Sequence, residues 1–359
     1  VKTAPPVWRG GPIGDYLVEL LVDGIADQTF PAASAYVWSD GRVVGQATAG
    51  LDLGDIAPDR RLWDLASLTK PLSIGLLAMR AVSNGTLDLD KPVFTDLPAH
   101  LTGEALLSHR GGLVPWRPWV KALPAGFRPG GANTRFALEA LIRQAALDST
   151  PGAPAVYSDV GYMLLQRYFE TKAGRSLRDL IVGYPRPGPP RRTTRFVESG
   201  LCPERQRVLV GEVHDPQAWA WGGAAGHAGL FGTARSVGET AVALLKVSEG
   251  TELGGATQGI APAVVRRFWA GRSPTSTPGS WQLGWDTPSP GASSSGTTVA
   301  PDAIGHLGFT GTSVWIEPSR RLVIVLLSNR VMFGEEAQAR IRRYRPRFHD
   351  AIRRALGLS

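Results

Sequence analysis

Cysteine occurs once in the 359 residues, as Cys202, which excludes an internal disulfide framework and any metal site built from several thiolates. Nothing around it marks a lowered thiol pKa, so Cys202 reads as a small apolar residue rather than a nucleophile. Long hydrophobic runs are also missing. The longest aliphatic stretch, Leu322 to Leu327, is far below the roughly 18 to 20 residues that a membrane-spanning helix needs, so no span is expected. No repeat of fixed period occurs, which argues against solenoids and propellers. The chain opens Val1-Lys2-Thr3-Ala4-Pro5-Pro6 without Met or an apolar signal region, and the compartment stays open between periplasmic, extracellular and cytoplasmic. Lysine is scarce, six against 33 arginines, so each lysine in a motif invites a chemical reading.

What is present is a globular composition, 43% hydrophobic and 19% charged, in a chain long enough for one large enzyme or two packed lobes. The net charge of +8 gathers in two places. Arg186, Arg191, Arg192 and Arg195 lie in a Pro-rich stretch that reads as an irregular surface insertion near 184–195. Arg340, Arg342, Arg343, Arg345, Arg347, Arg353 and Arg354 read as the outer face of a terminal helix. Aromatic residues are not interleaved with these charges as a base-stacking platform requires, so no nucleic-acid partner is expected.

Periodicity predicts an amphipathic helix from about Asp15 to Ile25 and strands at Ala32–Trp38 and Val43–Ala49, joined by an Asp40-Gly41 hairpin turn. A helix is expected after Asp64 up to Asn84-Gly85, and helical stretches dominate from Thr102 to Leu180. The low-complexity stretches 271–280 and 289–298 read as loops. Strands are expected at Thr312–Glu317 and Leu322–Ser328, then a helix from about Glu335 to Leu356 that Pro346 kinks or breaks. Strands near both termini imply one shared sheet, with a helical middle third and a cleft between. The corresponding domain reading is an α/β lobe of about 1–100 and 235–359 and a helical lobe of about 101–234.

Three short motifs carry candidate chemistry. In Ser67-Leu68-Thr69-Lys70, positions i and i+3 share a helix face, so the lysine reaches the serine hydroxyl. Free N–H groups at a helix start favour negative charge developing there. Tyr157-Ser158-Asp159 follows Pro151-Gly152-Ala153-Pro154, ahead of an apolar helix. His306-Leu307-Gly308-Phe309-Thr310-Gly311 precedes the C-terminal strands. Taken singly, each has an ordinary structural explanation: a solvated lysine, a half-buried tyrosine, a satisfied histidine. Their order, one from each third of the chain, is what raises them above chance.

Together, Trp63-Asp64-Leu65-Ala66-Ser67-Leu68-Thr69-Lys70, Tyr157-Ser158-Asp159 and His306-Leu307-Gly308 resemble the three motifs of the serine β-lactamase, penicillin-binding-protein and related esterase family. Asp159 stands where Asn is usual, and Leu307 where Thr is usual. Leu106 to Leu113, Ala225 to Ala234 and Leu283-Gly284-Trp285 resemble secondary signatures of the same family, so the resemblance spans about residues 15 to 355. It implies an α/β fold with a central antiparallel sheet flanked by helices plus an all-helical lobe. It further implies Ser67 as nucleophile, Lys70 and Tyr157 as the base pair, with the lysine's charge favouring the phenolate, and His306 as an orienting or tuning group. Backbone N–H groups of Ser67 and Phe309 would form the oxyanion hole, and Asp159, Leu307 and Gly308 would line the substrate.

The expected activity is acyl-enzyme hydrolysis of an amide or ester in a small molecule or peptide, including peptidoglycan fragments. A true β-lactamase and an inactive binding relative are the alternatives. His214-Asp215 and His227 are good ligand types, but their spacing is irregular, so neither metal nor cofactor is expected and they read as a loop beside the cleft. His100 and His109 read as structural.

Overall fold

The computed structural model describes residues 5–51, 57, 60–181, 195–202, 204–270, 280–291 and 293–358. The Pro- and Arg-rich insertion up to Thr194 and the stretch 271–279 lie outside these residues.

Among the described residues ten strands are numbered in chain order: β1 Val7–Gly10, β2 Ala33–Ser39, β3 Arg42–Ala49, β4 Trp63–Asp64, β5 Glu198–Cys202, β6 Arg207–Val210, β7 Phe231–Gly232, β8 Ile304–Leu307, β9 Ser313–Glu317 and β10 Leu322–Ser328. Six form one antiparallel sheet in the order β1-β3-β2-β10-β9-β8. Strands near both termini therefore interleave, as their sequence pattern implies. Asp40 and Gly41 turn β2 into β3 with φ of 41° and 94°; both values are positive, as a primed hairpin turn that follows the strand twist requires.

The two central strands have almost no exposed side chains, because both sheet faces are covered. Alternation along β10 assigns Leu322, Ile324 and Leu326 to one face. There they pack with Leu17 and Leu21 of the Gly14–Ala26 helix and with Ile341, Phe348 and Ile352 of the C-terminal helix. Val323, Val325 and Leu327 face the larger core, which includes Leu68, Met163 and Leu245. Helices Gly103–Leu107, Ala132–Leu147 and Asp159–Ala173 occupy the middle of the chain. That region also carries the ribbon of β5 with β6, and β7, which pairs with β4. No helix among the described residues is long and apolar enough to cross a membrane.

The C-terminal helix, Glu336–Ala355, continues through Pro346 instead of breaking there. It also corrects the reading of its arginines as an outer face. Arg342, Arg343, Arg347 and Arg354 are exposed, but Arg345 and Arg353 are buried. Helical spacing explains this: Ile341, Arg345, Phe348 and Ile352 recur at i, i+4, i+7 and i+11, so Arg345 falls on the buried stripe. Arg353 Nε meets Glu317 Oε1 at 2.6 Å, and its guanidinium also donates to the Ser295 carbonyl. Removing Arg353 takes away the fully buried partner of Glu317 and leaves that carboxylate with the partly exposed Arg320, 3.0 Å from its other oxygen. Arg353→Met is expected to cost about 3 to 5 kcal/mol in urea unfolding; a cost below about 1 kcal/mol, the range of exposed pairs, would show the pair to be inert.

Candidate active site

The chain enters the site from β4. Asp64 is buried, and its two carboxylate oxygens accept from Ala66 N at 2.8 Å and His214 N at 2.7 Å. Burial pushes its pKa up to about 6 against those two bonds. Leu65 N donates to Leu230 O at 3.0 Å. These ties hold Ala66 at φ 46°, a left-handed conformation that costs an ordinary L-residue roughly 1 to 2 kcal/mol. The turn so formed, Ala66–Leu68, is a 3-10 turn followed by a π-helical segment, Lys70–Gly75, and only then by the regular helix Leu76–Ser83. Pro71 lies in that segment and has no N–H to return to the Ser67 carbonyl, so a regular α-turn cannot close there.

Ser67 and Lys70 meet across this turn, with Lys70 Nζ 3.1 Å from Ser67 Oγ. Lys70 is completely buried. Its nitrogen also contacts Tyr157 Oη, Asp159 Oδ1 at 2.7 Å and His227 O at 3.3 Å. Burial draws the Lys70 pKa down, and the Asp159 carboxylate partly restores it. An ammonium has three protons for these four oxygens and no lone pair, so one proton is shared and both hydroxyls direct their own protons elsewhere.

Tyr157 is set by its neighbours on either side. Val156 N donates to His109 O and Ser158 N to His109 Nδ1, both at 2.9 Å. The Ser158 hydroxyl caps the Asp159–Ala173 helix and donates to Val114 O at 2.7 Å. The Tyr157 ring packs 4.7 Å from His109 and 5.2 Å from Trp281, centroid to centroid. Burial, and then the Asp159 charge, push the Tyr157 phenol well above its usual range, opposed by a hydrogen bond with Ser67. The expectation that the lysine's charge favours the phenolate therefore meets a counter-charge: Asp159 lies against the same ammonium.

The third motif forms the edge strand β8 and the turn after it. His306 is buried, and its Nδ1 donates to Leu307 O at 2.8 Å, leaving Nε2 as a lone-pair acceptor with no partner among the described residues. Burial and the Lys70 charge lower its pKa to about 3, so the ring is neutral near pH 7. Its centroid is 6.1 Å from Tyr157. The turn is stitched to the Ser67 segment by Thr310 Oγ1, donating to Asp64 O at 2.9 Å, and Thr312 Oγ1, donating to Leu65 O at 3.2 Å. Gly308 makes this approach possible, since a Cβ there would lie 2.8 Å from Leu65 O and collide with the Thr312 hydroxyl. Phe309, at the tip, is 47% exposed, which leaves its ring available to a ligand.

Ser67, Lys70, Tyr157 and Asp159 are thus in direct contact, with His306, Leu307, Gly308 and Phe309 on the adjoining strand and turn. Cys202 lies in β5, beside Glu204 and Arg205, and His100 pairs with Ser149. Several neighbours go beyond what the motifs name. His109, read as structural, holds both backbone groups that flank Tyr157. His227 gives its carbonyl to Lys70, and its Nε2 meets Asp215 Oδ1 at 2.8 Å. Gln166 accepts from Gly226 N at 2.9 Å, fixing that loop to the helix that carries Asp159. Ligand atoms of Asp159, Asp215 and His227 lie within 4.8 Å of one another, a donor set a cation would suit, and the Lys70 ammonium already supplies positive charge there. Burial alone would raise Asp215, but His227, the Ala218 N–H and Lys70 outweigh it and hold the carboxyl at about 2.

Residues 17–346 match the protein-family model described as Beta-lactamase. The chain is 30% identical over 310 residues, 75% of its length and 69% of the relative's, to a putative D-alanyl-D-alanine carboxypeptidase of Escherichia coli K12. It is 27% identical over 357 residues, 84% of its length and 77% of the relative's, to an N-acetylmuramyl-L-alanine amidase of Bacillus subtilis 168. Among solved structures, the D-amino acid amidase of Ochrobactrum anthropi SV3 in complex with L-phenylalanine amide shares the fold. Its TM-score is 0.65 over 95% of this chain and 98% of that one, at 18% identity. The chain therefore belongs to the β-lactamase family, the serine hydrolases of DD-carboxypeptidase, amidase, esterase and β-lactamase type.

Proposed function

We propose that this hydrolase cleaves an amide or ester of a small molecule or peptide through an acyl-enzyme on Ser67, and that β-lactams are poor substrates. The observation that carries the reading is the contact of Ser67 Oγ with a buried lysine that also touches Tyr157. In this reading the Lys70–Tyr157 pair, once it has lost one proton, accepts the proton of Ser67 as its oxygen attacks the carbonyl, and later returns it to the leaving group. The N–H groups of Ser67 and Phe309 receive the oxyanion. The same reading divides the chain into an α/β lobe of about 1–100 and 235–359 and a helical lobe of about 101–234, with the substrate cleft between them.

Three features favour substrates not read by a carboxylate. His306 is neutral, Leu307 offers no hydroxyl, and Asp159 places negative charge beside the pair. Each disfavours an anionic group at the position the third motif would otherwise hold. The relatives' names, a D-alanyl-D-alanine carboxypeptidase and an N-acetylmuramyl-L-alanine amidase, support amide bonds of peptidoglycan fragments as one substrate class.

Ser67 is expected to gain one adduct from a fluorophosphonate probe by intact mass. The same adduct on Ser67→Ala would mean that another residue is the nucleophile. Lys70→Ala and Tyr157→Phe should each lower turnover by about 10² to 10⁴, and the double variant by little more, because the two act as a unit.

Asp159 sets the pH response. Its carboxylate raises the pKa of both Lys70 and Tyr157, so it delays formation of the deprotonated pair as pH increases. Asp159→Asn removes that opposition, and the acidic limb of the kcat/KM profile is expected to move to lower pH. An unmoved or upward-shifted limb would exclude the pair as the base. In the wild type, small esters and D-amino-acid amides should exceed nitrocefin in kcat/KM, with Asp159→Asn narrowing the gap; nitrocefin turnover above both would refute the substrate assignment.

A further inference from the structure

Arg345 is a cation buried behind the third-motif turn. Its Nη2 donates to Gly308 O and to Thr312 O, both at 2.8 Å. Among the described residues no carboxylate pairs with it, and its Nε has no acceptor. Burying an unpaired guanidinium costs several kcal/mol, and fastening the turn does not require it. Gly308 N already donates to Thr312 O at 2.8 Å and Gly311 N to Gly308 O at 3.1 Å, while the Thr310 and Thr312 hydroxyls tie the turn to Asp64 and Leu65. Both carbonyls that Arg345 contacts therefore have other donors. What only Arg345 supplies there is charge.

The placement of that charge is specific. Gly308 C=O and Phe309 N–H belong to one planar trans peptide, so a donor on the carbonyl lies on the side opposite the N–H. A hydrogen-bonded cation at the oxygen draws electron density through the amide and makes the N–H a stronger donor. Burial keeps this field from being screened by water. Even with its pKa lowered to about 9 by burial and by Arg330, the guanidinium is protonated at neutral pH.

We propose that Arg345 is a positioning residue for the acyl-transfer reaction: through the Gly308–Phe309 peptide it orients and polarises the Phe309 N–H toward the oxyanion. This rests on the reading of Phe309 N–H as an oxyanion donor. Arg330 acts on the next peptide, since its Nε donates to Phe309 O at 2.7 Å, and so it does not substitute for Arg345.

The test compares Arg345→Met with Arg345→Lys, which keeps a charge. Arg345→Met should lower kcat for a p-nitrophenyl ester by about 10- to 100-fold, less than outright loss of an oxyanion donor, with KM within about threefold. Affinity for a phenylboronic acid, whose Ser67 adduct is tetrahedral and anionic, should fall in parallel. In ¹H–¹⁵N spectra the Phe309 amide proton should move upfield in Arg345→Met and stay near its wild-type position in Arg345→Lys. The unfolding midpoint of Arg345→Met should match or exceed wild type, because a buried uncompensated charge is gone. Wild-type kcat with an unshifted Phe309 amide would overturn the proposal. So would equal loss of activity and stability in both variants, which marks a purely structural role. If Ser67→Ala retains wild-type esterase activity, the hydrolase reading fails instead, and the Phe309 amide shift still decides whether Arg345 polarises this peptide.

Discussion

Lys70 has no access to water and is surrounded by oxygens from three separate stretches of the chain: Ser67 one turn away, Tyr157 and Asp159 from the middle, and the His227 carbonyl from the loop before β7. A lysine in that position loses its hydration, a cost of several kcal/mol unless the lost hydrogen bonds and charge are replaced. Each of the three stretches must therefore arrive in register, or the cation is stranded. This one nitrogen makes the geometry of the site depend on the fold as a whole.

The surrounding structure is arranged to deliver those stretches. Asp64 spends its two oxygens on backbone N–H groups, one on its own turn and one on His214, and so ties the Ser67 segment to the loop that leads to Asp215. His109 does the corresponding task for Tyr157, with its own backbone in the left-handed region at φ 58°. Ala66 is strained in the same sense. Strain of this kind persists only where neighbouring contacts over-determine the backbone, and here both strained residues border the groups that touch Lys70. The third-motif turn completes the enclosure through hydroxyl bonds to Asp64 and Leu65, with the Arg345 charge behind it.

Local regularity decided what could be read before the structure. The antiparallel core was legible because β2, β3 and β10 are short runs rich in apolar and β-branched residues, and the Asp40-Gly41 pair between β2 and β3 is a hairpin-turn signal. Ser67 and Lys70 were legible because three residues span one helical turn, even though Pro71 replaces the expected α-turn with 3-10 and π geometry. Arg345 and Arg353 were misread because charge was weighed ahead of helical position; the stripe through Ile341, Phe348 and Ile352 already assigned Arg345 to the inside. The roles of His109 and His227 were not legible, although both lie in stretches that resemble family signatures, since each combines a carbonyl contact with a ring-nitrogen contact to a residue far away in the sequence. The weak strands β5 and β6 likewise sit in a segment whose composition carries no alternating signal.

The replacement of an amide by a carboxylate at Asp159 is where the particular character of this family member concentrates. An Asn there would donate and accept without changing the charge of the Lys70 group. A carboxylate contributes a full negative charge 2.7 Å from the ammonium, in surroundings where water screens it little. It compensates Lys70 for its burial and at the same time raises the proton affinity of both Lys70 and Tyr157, so stability of the site and readiness of the proposed base pull in opposite directions. The neutral His306 adds no positive charge to offset this on the substrate side. The proposed preference for a neutral or cationic substrate group over an anionic one rests on this charge arrangement.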